Sequence, residues 1–216
     1  MATSTESLAR LLQLASPALP VGAYSYSGGL EAAVEEAIVR DAASAERWIG
    51  DVLEHAVAQM EAPVLWRMLR DPAGMKEWNE FFLASRETAE LRAETVQMGY
   101  SLARLLADLD VGKISLEEPS FPAAFAFAVS AWKIDPHAAL QAYLWTWLEN
   151  QAMAAVKSVP LGQTEAQAML LRLGGKLAEI AAKAAAMRDD DLANFAPGLA
   201  ILSARHETQY SRLFRS

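Results

Sequence analysis

Two long helical patterns meet at Lys157-Ser158-Val159-Pro160-Leu161-Gly162-Gln163, and this junction constrains the fold more than any other stretch. An apolar segment, Ala138 to Val156, runs into it. A second helical pattern, Ala166 to Met187, runs out of it. Pro160 disfavours α geometry at the residue before it, so the first helix ends there. Lys157 falls in that helix's last turn, where the dipole favours a cation. Thr164 with Gln167 has capping-box spacing and predicts the start of the second helix. Pro160, Leu161, Gly162 and Gln163 then form a short rigid corner. A mere connection needs only small, polar residues. A corner that presents Leu161 and Gln163 beside a lysine suits a docking surface, the plain alternative being a helix–helix turn.

Beyond the corner, Ala166, Leu170, Leu173, Leu177, Ile180, Ala184 and Met187 recur at alternating steps of four and three. Arg172, Lys176, Glu179 and Lys183 do the same on another face. Such a seam packs within an antiparallel bundle or at a helical dimer contact. Upstream, Leu8, Leu11, Leu12 and Leu14 predict a short first helix. Pro17, Pro20 and Gly22 make Ser16 to Ser27 a loop. Gly28-Gly29-Leu30-Glu31 opens a helix to Ala37, with Glu31 near its positive end. Ser44 is the expected N-cap of a helix through Trp48, Val52, His55 and Met60. Pro63 opens another. Asp71-Pro72-Ala73-Gly74 is a turn. Met75 to Leu109 is helical with a break at Ser85 to Thr88, and Arg86, Glu87, Glu90, Arg92 and Glu94 alternate in sign as on a solvated face. Ala123 to Trp132 is apolar almost all round, hence buried. Pro136 starts the helix that reaches Lys157, and Pro197 to His206 is a last short one. No segment alternates with period two, so the expected fold is all-α: one antiparallel bundle of roughly eight to ten helices over residues 1–216.

A chain of 216 residues with 53% hydrophobic and 21% charged content can bury one sizeable core. Its net charge of −8 lacks the basic footprint that nucleic acid requires, and suits a basic protein partner or a cation. The absence of cysteine excludes disulfides, thiolate metal sites and cysteine nucleophiles, and fits a reducing cytoplasm. Met1 to Arg10 carries Glu6 and no basic stretch leading into an apolar one, so no signal peptide is expected. The longest apolar runs, such as Ala123 to Ala131, fall short of the ~18 residues a membrane helix needs.

Few constellations suggest chemistry. His55, His137 and His206 lie far apart and lack HExxH spacing. His206-Glu207 is the one neighbour pair suited to a borderline metal, and its other ligands would have to come from elsewhere. Asp189-Asp190-Asp191 resembles an acidic magnesium cluster without the DDxxD spacing, and reads better as a solvated turn. A stand-alone helical enzyme using that cluster is the alternative to a scaffold. Gly174-Gly175-Lys176 lacks P-loop spacing. Ser25 to Gly29 lacks the strand and histidine of a nucleophile elbow.

The C-terminal stretch, Arg205 to Ser216, is unlike a frayed end. It sets Tyr210, Leu213 and Phe214 among Arg205, Arg212 and Arg215 in an acidic chain. Apolar residues and arginines on a mobile end form an anchor that folds on binding; the other reading packs the tail on its own core.

Five sets of residues resemble the urease accessory protein UreF family: Leu12 to Ser16 with Leu19, Pro20, Val21, Gly22, Tyr24 and Ser25; Ser27 with Gly29 to Glu31; Arg86 to Thr88 with Glu90 to Arg92; Val156 and Lys157 with Val159 to Gln163 and Gln167; and Ser203 to Glu207 with Ser211 to Ser216. They span nearly the whole chain in order. Gly28 departs from the family, which often carries a longer residue there. The resemblance implies an all-helical homodimer without catalytic activity and with no tightly bound cofactor. It implies a bridge between the accessory protein UreD (or UreH) and the GTPase UreG, assisting GTP-dependent nickel delivery to apo-urease. It further implies that the tail orders against UreD/UreH and that nickel in transit follows an internal path. On this reading the partner-binding residues are Pro20, Gly22, Tyr24, Ser25, Glu31, Lys157, Pro160, Leu161, Gly162, Gln163, Arg205, His206, Glu207, Tyr210, Arg212, Leu213, Phe214 and Arg215. Glu31 and Lys157 are expected on one face, touching the GTPase.

Overall fold

A computed structural model describes residues 5–216, and every regular element among them is helical. The reading of Met1 to Arg10 lies partly outside the described residues. Helix α1 is Thr5–Leu14 and α2 is Leu30–Glu35. Helix α3 (Ala42–Val52) runs through a π-helical stretch, Leu53–Glu61, into α4 (Ala62–Arg70). Helices α5 (Met75–Ala84), α6 (Ala89–Asp108), α7 (Phe121–Ala131) and α8 (Pro136–Ser158) follow, then α9 (Gln163–Gly174), α10 (Leu177–Ala186) and α11 (Pro197–His206).

Most helix ends follow from their sequence. Thr88, Ser120 and Asp135 cap α6, α7 and α8, each side chain accepting a main-chain N–H three residues on. Pro160 holds Val159 in extended geometry and ends α8, leaving Lys157 in the last turn. Three expectations need correction. Asp41, not Ser44, caps α3. Its carboxylate accepts from Ser44 N at 2.8 Å, and Ser44 Oγ accepts from Asp41 N at 3.1 Å, so Ser44 is the third helical residue of a reciprocal box. Pro63 begins no separate rod. The junctions at Val52 and Ala62 stay helical, and the turns widen to π before a residue that has no N–H to donate. Helix α9 starts at Gln163 rather than Thr164, because Glu165 reaches back to accept from Gly162 N at 3.2 Å.

The seam from Ala166 to Met187 is not one helix. It breaks at Gly174-Gly175-Lys176, where α9 gives way to α10. Its apolar residues Ala166, Leu170, Leu173, Leu177, Ile180 and Ala184 are all buried within this chain, so the seam serves the core rather than a dimer contact. Helix α8 runs through the centre of that core, with Leu140, Leu144, Leu148 and Ala152 wholly buried. Helix α7 packs beside it through Phe121 and Phe125, and Phe125 meets Tyr143 edge-on at 5.1 Å. One continuous buried cluster runs from Leu11 to Phe214, and its last member lies only two residues from the chain's end. Each fully buried side chain of this kind contributes about 1.5–3 kcal/mol.

Candidate docking face and the polar core beneath it

The loop before α2 turns on glycines. Gly28 (φ +56°) and Gly29 (φ +83°) occupy left-handed backbone. At Gly29 a Cβ would lie 2.8 Å from Leu199 Cδ1 of α11. This tight approach brings α2 against α11, and with it Glu31 against the tail.

Glu31 is the hub. Its Oε1 accepts from Leu213 N at 2.6 Å and its Oε2 from Phe214 N at 2.9 Å. His206 Nε2 lies 3.1 Å from Glu31 Oε2, and His206 Nδ1 lies 2.7 Å from Glu90 Oε2. Arg212 donates to the other Glu90 oxygen at 2.8 Å. Both ring nitrogens of His206 thus face carboxylate oxygens. The tail is tied to the loop as well. Arg215 N donates to Ser25 O at 2.8 Å, and both Ser27 N and Ser27 Oγ donate to the main-chain oxygen of Ser216.

These contacts correct several expectations. The tail is not a free anchor: Phe214 and Ser216 are buried, whereas Tyr210 and Leu213 stand out into solvent. Glu31 is buried too, so it holds the tail instead of presenting a surface charge. His206 is fully buried between Glu31 and Glu90, while Glu207 points elsewhere and accepts from Ala89 N at 3.0 Å. The His206-Glu207 pair therefore shares no site. Among the described residues no cluster of three or more His, Asp or Glu is placed to hold a metal ion. Leu161 turns into the core, leaving Pro160, Gly162 and Gln163 as the exposed part of the corner. Asp189 is taken by Arg67 at 2.7 Å and Asp191 by Arg188 at 2.8 Å.

Other candidates do converge. Lys157 Nζ lies 5.8 Å from the Tyr24 ring centroid and 5.5 Å from that of Phe214, and donates to Tyr24 O at 3.4 Å. Lys157 at the end of α8, the loop holding Pro20, Gly22, Tyr24 and Ser25, and the tail thus meet at one place, which Pro160, Gly162 and Gln163 do not line. Arg205 lies to the side, paired with Glu36 at 2.9 Å.

Beneath this face lies a feature that the helical pattern concealed. Arg86, Glu90 and Glu94 do not form a solvated face. Arg86 stacks over the Phe82 ring at 4.3 Å and lies 3.6 Å from Glu61. Tyr143 donates to the same Glu61. Glu94 accepts from Ser216 Oγ at 2.7 Å. Glu61, Arg86, Glu94, Thr95, Tyr143 and Asn150 help line a partly open pocket of about 80 Å³. Loss of hydration pushes the Glu94 carboxyl up to about 7, the Ser216 hydroxyl opposing and the Glu61 charge adding. The same burial, then the Glu61 charge, pushes the Tyr143 phenol well above its ordinary value. A second hollow, lined by Glu149, Met153 and Lys157, shares Ala23, Phe121, Thr146 and Asn150 with the first. No sequence signal pairs Glu61 with Arg86 across twenty-five residues. The one available hint was an acidic helix beside an apolar tail.

Comparison with known proteins agrees with this architecture. A family model described as UreF matches residues 39–174. The chain is 57% identical to a urease accessory protein UreF from Azoarcus sp. (strain BH72), over 97% of this chain and 95% of that protein. It is 50% identical to one from Janthinobacterium sp. (strain Marseille), over 98% and 99% of the two chains. It is 51% identical to one from Dechloromonas aromatica (strain RCB), over 97% of each.

Proposed function

The chain belongs to the UreF family of urease accessory proteins, and on that premise we propose that it is a non-catalytic scaffold for nickel insertion. Two copies associate. A partner of the UreD/UreH kind and a GTPase of the UreG kind dock on them in the cytoplasm, and GTP-dependent delivery of nickel to apo-urease follows. Nickel is cargo in this reading and not a resident cofactor.

The observation that carries the reading is the convergence of Lys157 at the end of α8, the loop at Tyr24 and Ser25, and the tail, which Glu31 holds from below. Exposed Tyr24 and Leu213 stand on this face. Aromatic and arginine residues around a fixed centre are the residues that anchor protein partners. The seam of α9 and α10 is used internally, so the dimer contact falls to exposed apolar residues elsewhere, Leu171 and Phe195 being the largest candidates. The two neighbouring hollows, the first lined in part by the Glu61 and Glu94 carboxyls, are where a divalent cation in transit would find oxygen ligands.

Purified chain mixed with purified UreD/UreH and UreG tests this by size-exclusion chromatography. Co-elution of all three is expected. Deletion of residues 213–216 leaves a folded helical protein that no longer retains UreD/UreH. A chain that stays alone with both partners present overturns the scaffold reading.

A further inference from the structure

Three tail residues and three residues from the body of the chain enclose an open pocket of about 420 Å³: Leu213, Phe214 and Arg215 on one side, Tyr24, Ser25 and Lys157 on the other. It brings two cations together in a chain whose net charge is −8. Among the described residues, Arg92, Arg172, Lys176, Lys183, Arg188, Arg205 and Arg212 are each paired to a carboxylate. Lys157 and Arg215 have no carboxylate within ion-pair distance. Lys157 rests against two aromatic rings, and Arg215 donates to the neutral Gln97 side chain at 3.2 Å, with the Tyr26 hydroxyl also beside it. Glu31 is engaged by the tail N–H groups and Glu94 by Ser216. Two exposed cations thus face one pocket, and neither has an ion pair among the described residues.

We propose that this pocket receives an acidic side chain, Asp or Glu flanked by apolar residues, from a segment of a partner protein. The naming of this face as a docking face rests on the scaffold reading above. The carboxylate class follows from the pocket itself. Lys157 supplies a point charge whose position is fixed by the Tyr24 and Phe214 rings, and Arg215 supplies a second donor group. Charge-assisted hydrogen bonds to a carboxylate are shorter and stronger than neutral ones. The rims are apolar, Tyr24 at 69% and Leu213 at 73% exposure, which rewards a peptide with hydrophobic neighbours over a bare anion. Half of the lining comes from the tail, so occupancy also favours the docked tail, and a ligand that needs the docked state stabilises it.

The probe is a short N-acetylated, C-amidated peptide with two glutamates between leucines, titrated calorimetrically into the chain alone. Its glutamine counterpart and inorganic phosphate serve as comparisons. The glutamate peptide is expected to bind at least tenfold more tightly than the glutamine one. Binding should fall with added salt and drop at least tenfold in both Lys157→Met and Arg215→Gln. Amide exchange at residues 213–216 should slow on binding. Both variants alter exposed side chains, and circular dichroism verifies their fold. Equal binding of the two peptides, binding unchanged in both variants, or displacement of the peptide by equimolar phosphate overturns the proposal. The titration contains no GTPase and no UreD/UreH. Partner co-elution without peptide binding sinks this inference alone, and peptide binding without co-elution sinks the scaffold reading alone.

Discussion

Glu31 and Phe214 are joined through the main chain: the Glu31 carboxylate accepts the Phe214 N–H at 2.9 Å and so fixes where the buried phenyl ring lies. Sequence separates the two by 183 residues. A carboxamide in place of this carboxylate keeps its shape but turns one acceptor into a donor, facing N–H groups already committed. Glu31→Gln is therefore expected to destabilise the chain by about 1–3 kcal/mol, the usual cost of an unmatched buried polar group. Amide exchange at 213–216 should accelerate while the helical dichroism persists. Unchanged exchange at those positions would show that Glu31 does not hold the tail.

Gly29→Ala tests the contact that brings α2 to α11. Left-handed backbone costs a residue with a Cβ about 1–2 kcal/mol, and the new methyl would also sit 2.8 Å from Leu199 Cδ1. The melting temperature should fall, and a second change, Leu199→Ala, should fail to restore it, because the φ penalty remains. A Gly29→Ala chain that melts like the parent would mean this loop relaxes freely.

Lys157→Ala should barely alter the fold. A lysine in a last helical turn contributes about 0.3–1 kcal/mol through the dipole, and this one is exposed. Binding of UreG to the chain should weaken with melting unchanged. A large loss of stability, with UreG binding intact, would make Lys157 a structural residue instead.

Much of the fold was legible because proline, serine, threonine and aspartate mark helix ends by local chemistry. Pro160, Thr88 and Pro136 act on neighbours one to four residues away. Where local rules compete, the outcome was less clear: Asp41 outcompetes Ser44 as a cap because a carboxylate and a hydroxyl three residues apart can serve each other. The break at Gly174-Gly175 was hidden because the apolar spacing continues across it and all those residues still reach one core. The polar interior was not legible at all. The alternating charges of Arg86 and of Glu90 and Glu94 on α6 look solvated in sequence, since their partners, Glu61, His206 and Ser216, arrive from distant segments. The tail shows the same limit. Composition marked Phe214 as needing burial, but only the position of Glu31 decides that the chain itself provides it.

Glu94 offers a pH signature of the docked tail. Its carboxyl is raised from an ordinary 4.5 to about 7, chiefly by lost hydration. Between those values the unfolded chain has released this proton and the folded chain still holds it. Stability therefore falls as pH rises, because the folded state binds more protons than the unfolded. The Glu94 contribution is fully present below 4.5 and is lost as pH passes through about 7. A shift of this size corresponds to about 3 kcal/mol at most, at 1.36 kcal/mol per pH unit. Carboxylates such as Glu46 and Glu54, lowered by hydrogen bonds from Arg172 and Lys176, work in the opposite sense at acid pH. The informative quantity is hence a difference between two proteins. Glu94→Gln keeps an acceptor for Ser216 Oγ and removes the titrating proton. Measured by urea denaturation from about pH 5 to about pH 8, the variant should gain on the parent as pH rises. Parallel curves for the two proteins would show that Glu94 ionises as an exposed acid does, and that the tail does not keep water from it.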